Sequence, residues 1–280
     1  MGIPCLLTLR AESMDHLSEL ENRSIYIIRE SYHQFPKIAV LWSIGKDSTT
    51  LVHLCRKAFF GEVPFPAIHI DTGRKMPAMY EFRDEWSKKW GLKMIVARND
   101  AAVAAGMGPN TKDKLACCTA LKTEGLKQCI AREGFDALLL GIRRDEHGVR
   151  AKERYFSPRN QKWQWDYQNQ PPELWDQFSA RADEETHIRV HPLLHWREID
   201  IWRYVRRENL PINRMYFARN GKRYRSLGCE CCCAPIDSNA STVDEIITEL
   251  ETTTTAERAG RAQDKEDTYT MQKLRALGYM

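Results

Sequence analysis

Three groups of residues carry chemistry beyond ordinary packing. The first is Ser43-Ile44-Gly45-Lys46-Asp47-Ser48, between the apolar run Lys37–Trp42 and a helical pattern from Leu51 to Phe60. A strand, a short turn and a helix start gather backbone N–H groups at the positive end of a helix dipole, which is an anion cradle. Gly45 permits close backbone approach, Ser43 and Ser48 bring hydroxyls, and Lys46 brings a cation suited to phosphate oxygens. The spacing is not that of a G-x-x-x-x-G-K-[ST] loop, so on these residues alone a capped turn accounts for it equally well.

The second group is the cysteines: nine in all, with Cys117-Cys118 adjacent and Cys229, Cys231, Cys232 and Cys233 within five residues. An odd, clustered set is a poor disulfide framework and points to metal, persulfide or redox chemistry. Cys229 and Cys232 form a C-x-x-C pair, suited to sharing a soft metal centre or to dithiol exchange. Cys55 and Cys129 read as small buried hydrophobes. The third group is Arg143, Arg144, Arg150, Lys152 and Arg154. Forked guanidiniums suit an anion that gains charge during a reaction, although Asp145, Glu146 and Glu153 offer local partners on a solvated face.

The elements that must position these groups alternate. Apolar strands at Lys37–Trp42, Phe65–Ile70, Leu92–Val96 and Asp136–Gly141 are separated by helical stretches Leu51–Phe60, Met76–Trp90 and Thr119–Glu133. Such alternation is the pattern of βαβ units and a twisted, mostly parallel sheet with helices on both faces. Residues 11–35 read as one or two amphipathic helices, His187–Val190 as a strand, Trp196–Glu208 and Val243–Leu250 as helices, and 220–237 as a loop. The expected division is a helical segment 1–36, an α/β domain 37–210 and a cysteine-containing lobe 211–280.

Composition narrows the classes. A net charge of +4 on 280 residues falls short of a dedicated nucleic-acid domain, and 42% hydrophobic with 29% charged residues is that of a globular chain. No apolar run approaches the ~18 residues of a membrane span, and no secretory leader pattern opens the chain, so a cytoplasmic protein without membrane attachment is expected. The aromatics Trp163, Trp165, Tyr167, Trp175 and Phe178 read as packing residues, and His191 and His195 as structural.

Ser43–Ser48 resembles the S-G-G-K-D-S pyrophosphate loop of the N-type ATP pyrophosphatases. Within that superfamily the chain resembles the PAPS reductase and sulfate adenylyltransferase small-subunit family. His69-Ile-Asp-Thr-Gly73, Lys122-Thr-Glu-Gly-Leu126, Gly141-Ile-Arg-Arg-Asp-Glu146, Arg150-Ala-Lys-Glu-Arg154, Pro171-Pro-Glu-Leu-Trp175, Ser226-Leu-Gly-Cys229 and Glu257-Arg-Ala-Gly-Arg261 carry the resemblance in family order. Ile44 departs from it, since the family usually has glycine there, and a larger side chain is expected to alter the loop.

The resemblance implies an adenine-nucleotide α-hydrolase-like fold with ATP across the carboxyl ends of the strands, cleaved to an adenylated product and pyrophosphate. Ser43, Gly45, Lys46, Asp47 and Ser48 would hold the β and γ phosphates, and Asp71, Thr72 and Gly73 would line the nucleotide site. Lys46, Asp47, Arg143 and Arg144 would be catalytic, with Asp47 the Mg²⁺ partner, and Arg150, Lys152 and Arg154 would hold the substrate anion. The tail from Glu257 to Arg261 would fold over the site. Cys117, Cys118, Cys229 and Cys232 resemble the cysteine set of the reductases that bind a [4Fe–4S] cluster, so a cluster or a cysteine persulfide is expected there. The reductases' C-terminal catalytic cysteine is missing, which argues against reduction.

Two activities follow. The first expectation is a sulfur-inserting ATP pyrophosphatase, similar to the enzymes of DNA phosphorothioation, with a sulfur donor such as a cysteine desulfurase and DNA or DNA-modifying partners. The alternative is a sulfate adenylyltransferase small subunit, making adenylyl sulfate and pyrophosphate with a GTPase partner. An oligomer is expected in either case.

Overall fold

Strand β1 (Ile38–Leu41) is buried along its whole length, and its alternate residues enter two different cores. Ile38, Val40 and the following Trp42 join a larger core with Ile27 and Ile28 of α1 (His16–Gln34), Leu51 and Leu54 of α2 (Lys46–Ala58), and Ile201 and Val205 further on. Ala39 and Leu41 face the opposite way, into a second core with Leu126 and Ile130 of α6 (Glu124–Glu133). The period-two alternation of a strand explains the split, and covering on both faces explains why the strand reads as one continuous apolar run. The computed structural model describes residues 15–108, 110, 113–160, 162–165, 170, 172–175, 177, 178, 187–260 and 273.

The other strands are β2 (Ala67–Ile70), β3 (Met94–Ala97), β4 (Ala137–Leu139), β5 (Phe156–Pro158) and β6 (Ile188–Val190). They form a six-stranded sheet in the order β3-β2-β1-β4-β6-β5. Every pair is parallel except β5–β6, where an antiparallel strand closes the edge. Helix α3 (Pro77–Lys89) follows β2, and after β3 come α4 (Asp100–Ala104) and α5 (Lys114–Cys118), which runs through a π-helical turn, Thr119–Thr123, into α6. Beyond the sheet, α7 (Glu198–Glu208) packs on α8 (Val243–Thr252), with a two-residue ribbon β7 (Lys222–Arg223) and β8 (Ile236–Asp237) between them. Leu227, Ala240, Ile246 and Ile247 of this last stretch join the larger core. No helix among the described residues is long and apolar enough to cross a membrane.

The fold is thus the expected mostly parallel α/β sheet with helices on both faces. Three local features differ from the sequence reading. The helix expected at Thr119 begins at Lys114, β5 stands where no strand is expected, and a ribbon occupies part of the 220–237 loop. Trp175, read as packing, is 87% exposed, whereas Trp165 is buried and Phe178 stacks on Phe156 at 5.0 Å. Tyr167 and Arg261 lie outside the described residues.

The chain leaves β1 toward β2 and β3 on one side, then returns to place β4 on the other. The connections after β1 and β4 therefore diverge at their carboxyl ends and open a crevice, the position where open α/β sheets bind ligands. His69, buried on β2, has its Nδ1 3.0 Å from the Trp42 carbonyl oxygen, and burial pulls its pKa down to about 4.

Ile44 takes φ +69°, the left-handed conformation that glycine adopts freely. The loop therefore keeps the glycine geometry, with a β-branched residue held in it, because the side chain is 1% exposed and packs in the larger core. Left-handed backbone costs about 1–2 kcal/mol, whereas truncating a buried isoleucine costs about 2–5 kcal/mol. Burial wins, and Ile44→Gly is expected to lower stability by about 1–3 kcal/mol. Urea denaturation measures this, and a variant more stable than the parent would refute it.

Candidate active site

The crevice holds a cavity of about 140 Å³. Trp42, Ser43, Gly45, Asp47 and Ser48 line it from the loop after β1, Gly141 and Ile142 from the end of β4, and Tyr216, Ser226 and Arg258 from later segments. Gly45 is the N-cap of α2 and carries no side-chain cap, so the first turn looks elsewhere for partners. The Lys46 N–H donates to the Tyr216 hydroxyl at 3.0 Å. Ser43 and Ser48 hydroxyls stand 2.9 Å apart, and Ser48 also donates to the Gly45 carbonyl at 3.1 Å. Gly141 lets the end of β4 approach this turn: a Cβ there would lie 3.1 Å from the Asp47 carbonyl and the Ser48 Cα. The two lips of the crevice touch backbone to backbone because residue 141 has no side chain.

Beneath the loop lies a buried charge cluster. The Lys46 side chain is 1% exposed and does not line the cavity; its Nζ binds Glu257, with Asp47 at 3.3 Å and Glu198 at 3.8 Å. Arg143, fully buried, binds Glu257 and Asp47 and holds Asp145 at 2.9 Å. Glu198 in turn takes the Arg225 guanidinium at 2.7 Å, and Arg225 donates to the Thr255 carbonyl at 2.6 Å. Burial alone would raise the Glu257 pKa, but Arg143 and Lys46 overcome it and hold the carboxyl far below the carboxylate range. Arg143 likewise stays charged, burial being more than offset by Glu257, Asp145 and Glu198.

Of the residues expected at the site, Ser43, Gly45, Asp47, Ser48 and Arg150 line the cavity together. Arg150 binds Glu146, and the other Glu146 oxygen accepts from Arg258 at 3.1 Å, so one carboxylate bridges two guanidiniums. Glu257 and Arg258 of the tail do reach the site. Arg144 turns away to His195 and to the Glu153 carbonyl at 3.0 Å; Lys152 is exposed and Arg154 half-buried, and none of the three lines the cavity. Asp71 accepts from the Tyr80 hydroxyl at 2.7 Å and the Gly73 N–H at 2.8 Å. Burial pushes its pKa up, and these donors more than offset it. Sequence reading gave no role to Tyr216 or Glu198, which carry no motif of their own.

Thr72 instead faces a second, smaller cavity of about 10 Å³, lined by Cys117, Cys118, Cys229, Cys231, Cys232 and Lys122, with Arg74 and Leu121. The cysteines expected to act together are therefore brought together, with Cys231 added. The Thr72 hydroxyl lies 3.2 Å from Cys229 Sγ. No disulfide joins the described cysteines. Among the described residues no group of three or more His, Cys, Asp or Glu is placed to hold a metal ion.

The switch-point crevice, the glycine-capped helix start and the cavity between them define an α/β protein of the adenine-nucleotide α-hydrolase-like fold. Residues 37–235 match the family model described as the phosphoadenosine phosphosulfate reductase domain. The chain belongs to that family. It is 41% identical over 298 aligned positions to sulfate adenylyltransferase subunit 2 of Aeromonas salmonicida, covering 96% of each chain. Against the protein of the same name from Zymomonas mobilis it is 40% identical, covering 97% of this chain and 100% of the relative. Among solved structures it resembles Candida glabrata FMN adenylyltransferase in complex with FMN and AMPCPP, at TM-score 0.57 and 19% identity, covering 91% and 94% of the two chains. The phosphoadenylyl-sulfate reductase of Candida auris gives TM-score 0.53 and 14% identity over 84% of this chain and 100% of that one. These two likenesses bear on fold alone.

Glu257→Gln is expected to cost about 3 kcal/mol, since the buried Lys46 and Arg143 lose the carboxylate they share and keep only their partners Asp47, Asp145 and Glu198. The folded pKa lies below the ordinary glutamate value of 4.5, so Glu257 contributes its full stability above that pH and loses it as pH falls below. The variant should therefore lose less stability than the parent on acidification below pH 4.5. Denaturation curves across that range decide it; parallel losses in the two proteins would count against the cluster.

Proposed function

We propose that this chain is the adenylyl-transferring subunit of a sulfate adenylyltransferase, in which ATP occupies the crevice, a sulfate oxygen attacks the α-phosphorus and pyrophosphate leaves. The observation that carries the reading is the likeness to proteins of that name, at 40–41% identity along nearly the whole of both chains. In this reading Ser43, Ser48 and the first-turn amides of α2 take the β and γ phosphates, and Asp71 and Gly73, which follow Ile70 at the cavity wall, flank the nucleotide, while Thr72 faces the cysteine cavity. Arg150 and Arg258 supply the positive charge for sulfate and for the charge that develops at the α-phosphorus. Lys46 and Arg143 act from below, fixing Asp47 and the tail. Mg²⁺ arrives on the triphosphate as part of the substrate, since Asp47 and Asp145 are both engaged by Arg143.

The relatives' name, subunit 2, calls for a second subunit, and the family resemblance makes that partner a GTPase driving an uphill reaction. The sulfur-inserting reading, cleaving ATP to AMP and pyrophosphate with a cluster or persulfide on the cysteines, has one support. Its five-cysteine cavity adjoins the crevice and shares Lys122 with it. The named relatives favour sulfate.

Exchange of labelled pyrophosphate into ATP, with and without a GTPase subunit, tests the proposal. Exchange should require sulfate, and Gly141→Ala, which wedges a methyl against the loop backbone, should slow it by about a hundredfold, as small misplacements of reacting groups do. Exchange equally fast without sulfate overturns the reading.

A further inference from the structure

Cys117 and Cys118 end α5, and Cys229, Cys231 and Cys232 lie on a separate turn, yet all five line one small cavity. Burial of small apolar side chains accounts for Cys55 and Cys129 but not for this set, because Cys231 is exposed while the other four are buried. The turn is stitched to the loop after β2: the Glu230 N–H donates to the Arg74 carbonyl at 2.9 Å, and Cys229 bridges to Lys75. Lys75 and Lys122 both line the larger cavity, and Lys122 lines the cysteine cavity as well. Lys122 belongs to the π-helical turn directly after Cys118, an irregularity common at functional sites.

We propose that this cavity is a thiol–disulfide modification site, where a glutathione-class disulfide converts Cys117 and Cys231 to an intrachain bridge that weakens nucleotide binding in the adjoining crevice. The linkage rests on reading that crevice as the ATP site; the bridge itself does not. Exposed Cys231 is the entry point. Its thiolate attacks one sulfur of the oxidised glutathione, that S–S bond breaks, and one glutathione thiolate leaves. Cys117 Sγ then attacks Cys231 Sγ in the mixed disulfide and displaces the second glutathione. Two protein thiols and one disulfide become one protein disulfide and two glutathione thiols, and the protons pass to the departing thiolates. Burial, with the neighbouring thiols, pushes Cys117 up to about 11 and Cys232 up to about 12. The reduced form thus gains no stabilised thiolate, the reverse of the arrangement that makes a disulfide a strong oxidant. Closing the bridge draws α5 toward the turn, and Lys122 and Lys75 are the side chains that carry the movement into the crevice.

The test equilibrates the full-length protein with graded mixtures of reduced and oxidised glutathione, alkylates the remaining thiols and maps tryptic peptides. Peptide 115–122 should be found joined to peptide 226–258. In the same samples ATP affinity, read by calorimetry, should fall about tenfold with bridging, within the usual range of coupling between sites, and return with a dithiol reductant. Cys231→Ser, at an exposed position, should abolish both bridge and response. Thiols alkylated throughout the series, a bridge confined to peptide 226–258, or a metal released only by chelation would each overturn the site. Bridging with unchanged ATP affinity would overturn the linkage. Absence of ATP binding by the reduced protein would defeat the reading of the crevice and the linkage with it, whereas a missing bridge would defeat the cysteine site alone.

Discussion

Lys46, Arg143, Asp47 and Glu257 form a buried cluster of two cations and two carboxylates on which the arrangement of the crevice depends. The four residues come from the loop after β1, the end of β4 and the tail, and Glu198 and Arg225 extend the network to α7 and the 225–228 segment. Each charge is removed from water at a cost of several kcal/mol and recovers it only if every partner stays in place. Sliding the tail by one residue would take from Lys46 and Arg143 the carboxylate they share, leaving two neighbouring cations on Asp47, Asp145 and Glu198 alone. The cluster therefore selects one register for segments that hydrophobic packing alone would hold loosely, and it brings Arg258 to the cavity as a consequence.

The backbone makes the complementary contribution. Because β1 and β4 are neighbours whose chains depart in opposite directions, their carboxyl ends supply two lips with no secondary structure between them. Gly141 allows those lips to meet at the Asp47 carbonyl, so the first turn of α2 is held from the β4 side as well as by the Tyr216 hydroxyl. Ile44 stores strain at the same turn. A loop fixed by a charge cluster below, a glycine contact on one side and a tyrosine on the other needs little reorganisation to meet a ligand, which is what an anion cradle requires.

How much of this is legible in the sequence depends on the length scale of each signal. β1 and β4 announce themselves because double-sided burial demands unbroken apolar residues. β5 does not, being three residues ending in Pro158 at a sheet edge, where proline is tolerated and alternation has no room to appear. The Ser43–Ser48 turn is visible as a local pattern and the fold puts it at the crevice. The partner of Lys46 is not visible, because an ammonium suits any anion: the chemistry of the side chain specifies the sign of what it meets, and only the fold decides between a phosphate and the Glu257 carboxylate. Tyr216 is illegible for a related reason, since one hydroxyl in a turn has no periodicity. Trp175 shows the converse, an aromatic whose type argues for burial while its loop leaves it in solvent.

The cysteines were legible as a set but not as a chemistry, and Lys122 explains why the set belongs beside the crevice. Burial and the neighbouring thiols push Cys117 and Cys232 up, and the Lys122 ammonium opposes that rise only in part. The same ammonium lines the larger cavity, where an anionic ligand would draw on it too. One positive charge shared by two sites couples them with a definite sign: an anion in the crevice makes the thiols harder to ionise, and an ionised thiol makes the crevice less attractive to an anion. Thermodynamic linkage requires the two effects to be equal in free energy.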